Sequence, residues 1–248
     1  MPSPSPLTLA NFLETESLIH PLDNPVWMAL TTAQRDFGQG DLLARRYRDH
    51  LFPIAALSDW RNPACWKSLE DLLDANTSVA IFAPELEVPS GWNVELRIEF
   101  VQMTCDKNSF VARSDKVAPF SLRDLTVSDA QNMSALASLS HIGPVGRLAT
   151  TSGRYVGAFN ESGALISMAG ERMRLDRHIE VGSVCTSPAY QGKGAATCLV
   201  YAVTKGIVDR GSSAFLHVEH SNATAIAMYK KLGFQARTRI VLTLISRS

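Results

Sequence analysis

The stretch that organises the chain is Glu180-Val-Gly-Ser-Val-Cys-Thr186-Ser-Pro188-Ala-Tyr-Gln-Gly192-Lys-Gly194-Ala-Ala196. Its residues up to Thr186 are mostly small or β-branched and predict a strand, which Pro188 ends because proline offers no N–H to a neighbouring strand. Gly192 and Gly194 predict a turn. A helix should follow, since apolar residues recur at three- and four-residue steps, at Ala196, Leu199, Val200, Val203 and Ile207.

A strand, a glycine loop and a helix N-terminus in this order predict an anion site. The first N–H groups of a helix have no partner within the helix and carry the positive end of its dipole, so they suit phosphate oxygens. Two common phosphate motifs do not match. The dinucleotide fingerprint needs a third glycine where Thr197 stands, and the phosphate loop of nucleotide hydrolases needs Gly-Lys-Ser/Thr. The glycines alone leave a plain structural turn as an alternative.

Two motifs in the chain resemble those of one family. Residues 191–196 read Gln-x-x-Gly-x-Ala and resemble the Arg/Gln-x-x-Gly-x-Gly/Ala loop of the GCN5-related N-acetyltransferases (GNAT). A predicted buried strand at residues 213–218 and an N-cap at Ser221-Asn222 then lead into a second helix. Its ending, Tyr229-Lys-Lys-Leu-Gly233-Phe234, is similar to the family's Ala-x-x-x-Tyr-x-x-x-Gly-Phe. The resemblance covers residues 122–244 and is greatest to the FR47-like and glycine N-acyltransferase-like branch.

This resemblance implies an α/β (α+β) fold with a mixed, mostly antiparallel sheet flanked by helices, and acetyl coenzyme A as the acyl donor. The pyrophosphate of the coenzyme would be held, mainly by backbone groups, at Gln191, Gly192, Lys193, Gly194, Ala195 and Ala196. Val184, Cys185 and Thr186 would lie along the pantetheine arm, with Asn222 near its contact to the second helix. For Cys185, a small buried thiol is the alternative interpretation.

The central strand has a predicted geometry of its own. Simple alternation would place Glu180, Gly182, Val184 and Thr186 on one face. The family resemblance instead implies a bulge, which splays this strand from the next one and frees backbone groups for the pantetheine and the thioester oxygen.

The resemblance also implies two catalytic residues. A lysine-like amine is neutral in only about one molecule in a few thousand at pH 7, so a group that removes its proton is needed. Glu180 stands where many family members place a base, often acting through water; a solvated glutamate or an ion pair with Arg177 is the alternative. Tyr229 stands at the position of the usual general acid, and its alternative is plain packing beside Ala225, Ile226 and Leu232.

Several other polar residues were weighed as ligands. Arg172 and Arg174, with Arg177, predict a basic loop before the central strand that would bind an acceptor carboxylate or be a solvated hairpin. His217 and His220 are predicted on opposite faces of a strand, and no cysteine or acidic residue has zinc-site spacing, so no metal is expected.

Composition limits the classes of partner. The chain has 248 residues, 46% of them hydrophobic, with 24 basic and 24 acidic side chains. This balance gives no sign of a nucleic-acid or membrane partner. No signal peptide or apolar run of membrane-spanning length is visible, and Cys65, Cys105, Cys185 and Cys198 form no Cys-x-x-Cys pair. We therefore expect four free thiols in a reducing cytoplasm.

The N-terminal half carries no recognisable catalytic motif. After a proline-punctuated start up to about residue 24, the sequence predicts a helix at 24–30, strands at 51–57, 78–82 and 94–100, and a helix at 67–75. Residues 1–115 would form a smaller α/β domain, possible as a degenerate GNAT copy, although no internal repeat is visible. Residues 112–119 read as the hinge to a second domain at 120–248.

The second half should begin with a helix capped by Ser128 and a hairpin of strands at 155–159 and 164–169. Taken together, the sequence predicts transfer of an acetyl group from acetyl coenzyme A directly to an amine of a small molecule or peptide. Two alternatives stay open: a non-catalytic module that binds acyl coenzyme A, and an acyltransferase that uses a longer acyl group.

Overall fold

The computed structural model describes residues 20–49, 51–75, 77–112, 120–140, 145 and 149–247. In the N-terminal half the elements are α1 (Pro25–Thr31), β1 (Gly38–Gly40), β2 (Ala44–Tyr47), β3 (Ile54–Leu57), α2 (Pro63–Asp71), β4 (Ser78–Ala83) and β5 (Trp92–Cys105). The C-terminal half contributes β6 (Ser121–Leu125), α3 (Ala130–Leu139), α4 (Ala149–Ser152), β7 (Tyr155–Phe159), β8 (Leu165–Arg174), β9 (His178–Thr186), α5 (Ala195–Asp209), β10 (Ser213–Glu219), α6 (Ala223–Lys231) and β11 (Gln235–Arg247).

The described strands form one eleven-stranded sheet in the order β1-β2-β3-β4-β11-β5-β10-β9-β8-β7-β6. Only the β3–β4 and β9–β10 pairs in these ranges are parallel. This mixed, mostly antiparallel sheet with flanking helices confirms the predicted fold class. Its centre was not predicted: β11, the last strand, lies between β4 and β5, and β5 lies between β11 and β10. Each half of the chain therefore supplies a strand that pairs with the other half.

The sheet is covered on both faces. On one face α5 and α6 bury an apolar cluster that includes Leu199, Val203 and Phe234. On the other face α1 and α3 bury a second cluster that includes Leu30 and Met133. The predicted stripe of α5 is largely confirmed, because Leu199, Val200, Val203 and Ile207 are all buried. Burial of such side chains is the main favourable term in folding.

Helix starts differ from the predictions where a cap was overlooked. The helix predicted from Lys67 begins at Pro63, because the Asn62 side chain accepts a hydrogen bond from the Ala64 N–H. Ser128 is not the N-cap of α3. Residues 127–129 form a turn of 3₁₀ helix, and the carboxylate of Asp129 accepts the Thr126 N–H at 2.9 Å.

The predicted basic loop was wrong in its structure, because residues 170–174 continue strand β8. The hairpin of β7 and β8 is confirmed, with antiparallel pairing of Tyr155 to Gly170. The strand predicted at 94–100 is confirmed within β5, but Val94 and Leu96 on its apolar side are exposed.

Two predicted segments lie mainly outside the described residues: the proline-punctuated start, up to residue 19, and the hinge, at 113–119. The division into domains at 1–115 and 120–248 stays a prediction. Within the part of the chain that the structure describes, no helix is long and apolar enough to cross a membrane.

Candidate functional site

Strand β9 separates from β10 part of the way along its length. The parallel pairing joins Ser213–Phe215 only to His178–Glu180. Beyond Glu180, β9 carries one extra residue against β8, since Met168 and Gly170 face Cys185 and Gly182. Ser183 lies in this bulge with φ 52°, the only positive φ of a non-glycine residue in the described ranges. The bulge opens the sheet at the place that the family resemblance implied.

The bulge also changes which side chains share a face, so simple alternation was wrong here. Val184 packs with the cluster under α5, whereas Cys185 packs with the cluster on the opposite face. The extra residue at Ser183 shifts the alternation by one position. Glu180 and Val184 therefore point to different sides of the sheet.

Glu180 is the centre of a buried ion pair. Arg172 donates to both carboxylate oxygens at 2.6 Å, through Nε and one Nη atom, and the His217 Nδ1 lies 2.8 Å from Oε1. The glutamate side chain is only 1% exposed. Burial by itself would raise the pKa of Glu180, but the charge and hydrogen bonds of Arg172, with the hydrogen bond of His217, lower it well below its ordinary value. Glu180 is therefore an anion at neutral pH, and its partner is Arg172 rather than the expected Arg177.

His217 is held by a chain of polar groups that crosses the sheet. Gln102 on β5 lies with its Nε2 atom 3.1 Å from His217 Nε2, and the same Nε2 donates to the Leu22 carbonyl at 2.8 Å. Arg237 on β11 donates to Gln102 Oε1 at 2.7 Å and pairs with Asp23. Since the amide oxygen of Gln102 is used by Arg237, its NH₂ group faces His217. His217 then accepts at Nε2 and donates from Nδ1 to Glu180, as a neutral imidazole.

Gly182 makes room for the ion pair. A Cβ atom at this position would lie 2.9 Å from the Arg172 Cβ and 3.1 Å from its Nε. The missing side chain thus allows Arg172 to lie against β9 and reach Glu180. From the N-terminal half, Gln34 donates to the Arg172 carbonyl at 3.0 Å and so supports this part of β8.

Tyr229 is buried on α6, with 6% of its surface exposed, and its ring packs edge-on against Phe234 at 5.8 Å between centroids. Burial raises its pKa to about 12. The phenol therefore keeps its proton at neutral pH, which is the state that a general acid needs.

The loop before α5 has the geometry of an anion cradle. Gly192 and Gly194 take φ of 74° and 85°, and α5 begins at Ala195 without any side-chain cap. A Cβ atom at either glycine would meet nothing within 4 Å, so the backbone is open to a ligand. The Gln191 side chain does not point to a separate site but donates to the Thr186 carbonyl at 3.3 Å. Exposed N–H groups at an uncapped helix start fit a pyrophosphate.

The other predicted coenzyme residues differ in their freedom. Val184 lines the cavity described below, but Cys185 is buried in the core, and burial raises its pKa to about 12. Asn222 caps α6 by accepting the Ala225 N–H at 3.0 Å, as its predicted capping role requires. The Arg174 side chain is exposed, whereas the Arg172 side chain is 22% exposed and is not a solvated hairpin residue.

A cavity of about 690 Å³ joins these groups. It reaches both faces of the sheet, since it touches Tyr229 of one apolar cluster and Phe82 of the other. Its polar end contains Arg172, Glu180, Ser183, His217, Glu219 and Tyr229. Its other end is apolar and comes from β3, β4, β5 and β11. The size is typical of a small-molecule site.

Sequence reasoning missed much of this cavity. Gln102, His217 and Arg237 were not assigned to it, and neither was any residue of the N-terminal half. One signal was available: Gln102 interrupts the apolar run of β5, and a polar residue in such a strand usually has a buried partner. The identity of that partner is not visible in the sequence.

Comparisons with known proteins agree with this geometry. A family model described as FR47-like protein matches residues 155–242. The N-alpha-acetyltransferase RimI of Mycobacterium tuberculosis is 33% identical over 131 residues, which cover 47% of this chain and 79% of that relative.

Solved structures extend the similarity to the N-terminal half. A GNAT-family protein of Novosphingobium aromaticivorans has 34% sequence identity and a TM-score of 0.83, over 92% of this chain and 99% of that chain. A GCN5-related N-acetyltransferase from Kribbella flavida has 12% identity and a TM-score of 0.63, over 88% of this chain and 95% of that one, which is a likeness of fold.

Proposed function

The chain belongs to the GNAT family of acetyltransferases and carries an FR47-like domain, and we propose that it transfers an acetyl group from acetyl coenzyme A directly to an amine of a small molecule or peptide. One observation carries the proposal: the opening between β9 and β10 lies on a cavity that contains an anionic carboxylate and a protonated phenol. Proton acceptance and proton donation are the two tasks of this reaction.

The residues around the opening fit a coenzyme. The backbone of the loop at Gln191, Gly192, Lys193, Gly194, Ala195 and Ala196 would hold the pyrophosphate. The free edge of β9 at Val184, Cys185 and Thr186 would pair with the amide groups of the pantetheine arm, with Cys185 contributing backbone only because its side chain is buried. Asn222 would lie at the far side of this arm. Bound acetyl coenzyme A supplies an acetyl thioester, whose sulfur is the leaving group.

In this proposal Tyr229 donates a proton to the departing sulfur. A thiolate with an ordinary pKa near 8.5 is a tolerable leaving group in water, but proton donation makes its departure easier in a buried site. Because Tyr229 has a raised pKa, it is a weak acid that releases its proton only as negative charge develops on the sulfur.

Glu180 keeps the proposed role of proton acceptor, directly or through water. Its lowered pKa makes it too weak a base to deprotonate a free alkylammonium ion efficiently. Once the nitrogen bonds to the acetyl carbon, its protons become much more acidic, and a weak carboxylate base then suffices. If Glu180 has this role, Glu180→Gln changes the pH dependence of turnover; an unchanged profile would reject it.

The coenzyme site can be tested by thermal unfolding with acetyl coenzyme A, coenzyme A, NADH and ATP at matched concentrations. A ligand at a hundred times its Kd adds about 2.7 kcal/mol of stability, which for a chain of this size raises Tm by roughly 5 to 10 °C. We expect a shift with the two coenzymes alone, followed by acetylation in a screen of amines. No coenzyme shift despite a clean unfolding transition would remove the main support for the proposal.

Two glycine variants show whether the loop is responsible. Gly194→Val and Gly163→Val both force a branched residue into positive φ, at 85° and 77°, in places where a Cβ meets no neighbour. Both should lose a similar stability, about 1 to 2 kcal/mol. Only Gly194→Val should also lose most of the coenzyme shift, since Gly163 lies in the β7–β8 turn. Equal shifts in the two variants would place the pyrophosphate elsewhere.

A further inference from the structure

The apolar end of the cavity faces water instead of a core. Leu96 on β5 is 46% exposed, and Ile98 and Phe100 follow it on the same side of the strand. Leu242 and Leu244 on the neighbouring β11 continue this surface. We call these five residues the apolar wall. Alternating apolar residues on a strand normally face a packed interior, so a wall that lines an open cavity points to an apolar ligand.

The charges at the opposite end indicate which polar group that ligand carries. Arg172 is engaged with Glu180 through two hydrogen bonds, so its charge is already balanced. Glu219, at the end of β10, lines the same cavity, is exposed, and has no ion-pair partner among the described residues. The net charge of this end is therefore negative, with His217 neutral. It favours an ammonium group and disfavours a carboxylate.

The two ends are continuous, and the reacting groups lie at the polar one. From this arrangement we propose that the acceptor is a primary amine on an aliphatic or aromatic body, with no carboxylate beside the amine. The amine lies near Glu180 and Glu219 and the body lies on the apolar wall. This inference rests on the proposed acetyl transfer, and it differs from the earlier idea that Arg172 binds an acceptor carboxylate.

A series of acceptors tests the inference directly. With saturating acetyl coenzyme A, kcat/KM is measured for n-alkylamines from butyl to octyl. Each buried methylene should raise kcat/KM about fourfold until the wall is covered. 2-Phenylethylamine should exceed phenylalanine at least tenfold, although phenylalanine has the less basic amine and differs only by its carboxylate. A flat series, a preference for phenylalanine, or a hydrophilic peptide with a free N-terminus as the best acceptor would overturn the inference.

Two leucine variants locate the effect. Leu96→Gln places a polar group on the apolar wall and should flatten the increase with chain length. Leu42→Gln is the matched control, since Leu42 is 85% exposed and lies outside the cavity lining. It should leave the series unchanged. Equal effects in both variants would show that the wall does not contact the amine.

A binding measurement separates failure of this inference from failure of the proposed function. Thermal unfolding with octylamine and butylamine needs no turnover. If no amine is acetylated but octylamine stabilises the protein and Leu96→Gln abolishes that shift, the ligand class stands and the transferase proposal fails. If acetylation occurs without any chain-length dependence, the transferase proposal stands and this inference is wrong. If octylamine neither reacts nor stabilises the protein, the inference is also wrong.

Discussion

Glu180 and Tyr229 line the same cavity and are both buried, yet burial has opposite outcomes for their charge. Tyr229 lies in an apolar cluster beside Phe234, where desolvation is the only cause of its pKa shift. Glu180 is more deeply buried, but Arg172 and His217 outweigh desolvation and lower its pKa. Equal burial therefore yields a neutral phenol and an ionised carboxylate.

The comparison shows that partners, rather than depth, determine which protonation state a buried group adopts. Desolvation always favours the neutral form, and only a charge or hydrogen bond that stabilises the ion reverses it. A cavity with one group of each kind has a proton donor and a proton acceptor ready at the same pH. This separation of pKa values is a pattern that acid and base catalysis uses.

The largest expected effect concerns Tyr229. In Tyr229→Phe the ring and its packing remain and only the hydroxyl is lost, so kcat should fall by roughly 10² to 10⁴. The affinity for acetyl coenzyme A should stay within about twofold, because the pyrophosphate loop is unchanged. Calorimetric titration with coenzyme A and a steady-state assay measure both. Unchanged turnover would assign Tyr229 to packing alone and would break the comparison with Glu180.

Removing the charge of Glu180 should mainly reduce stability. Glu180→Gln leaves the Arg172 cation without its partner in a site that is mostly buried, and we expect a loss of about 3 to 5 kcal/mol in the free energy of unfolding. Glu219→Gln is the matched control, because Glu219 lines the same cavity but is exposed and should change stability by less than about 0.5 kcal/mol. Urea unfolding measures both variants.

The pH dependence of stability tests the same ion pair. Because the folded protein lowers the pKa of Glu180 below its ordinary value of 4.5, the unfolded chain takes up this proton first as the pH falls. The stabilisation is thus complete above about pH 4.5 and is lost as the pH drops towards the folded pKa. The difference in stability between the wild type and Glu180→Gln should shrink over that range. A constant difference would mean that Glu180 is not an ion in the folded protein.

The smallest effect is expected at Gly182. Gly182→Ala places a methyl group 2.9 Å from the Arg172 Cβ, so the arginine must shift away from Glu180, at a cost of about 1 to 3 kcal/mol. Gly206→Ala is the control of opposite sign. It lies inside α5 with its nearest neighbour at 3.3 Å, the tip of the Arg154 side chain, and should stabilise the helix by up to about 1 kcal/mol. Similar changes in both variants would show that Gly182 does not position Arg172.

Sequence patterns sufficed for the elements whose signals are local. The strand, loop and helix from Glu180 to Ile207 were predicted from small residues, two glycines and helical spacing, and the β7–β8 hairpin from its turn. These features are set by residues within a few positions of one another. Caps were the local signals most often missed, as Asn62 and Thr126 show.

By itself, then, the sequence determined the α/β fold class, the loop before α5 and the places of Glu180 and Tyr229 along the chain. Only the tertiary structure decided that β11 enters between β4 and β5, that Arg172, Gln102 and His217 surround Glu180, and that the apolar wall belongs to the site. The physical reason is that strand pairing and side-chain partnership depend on contacts between residues far apart in the chain. Gln102 and His217, for example, are separated by 115 positions.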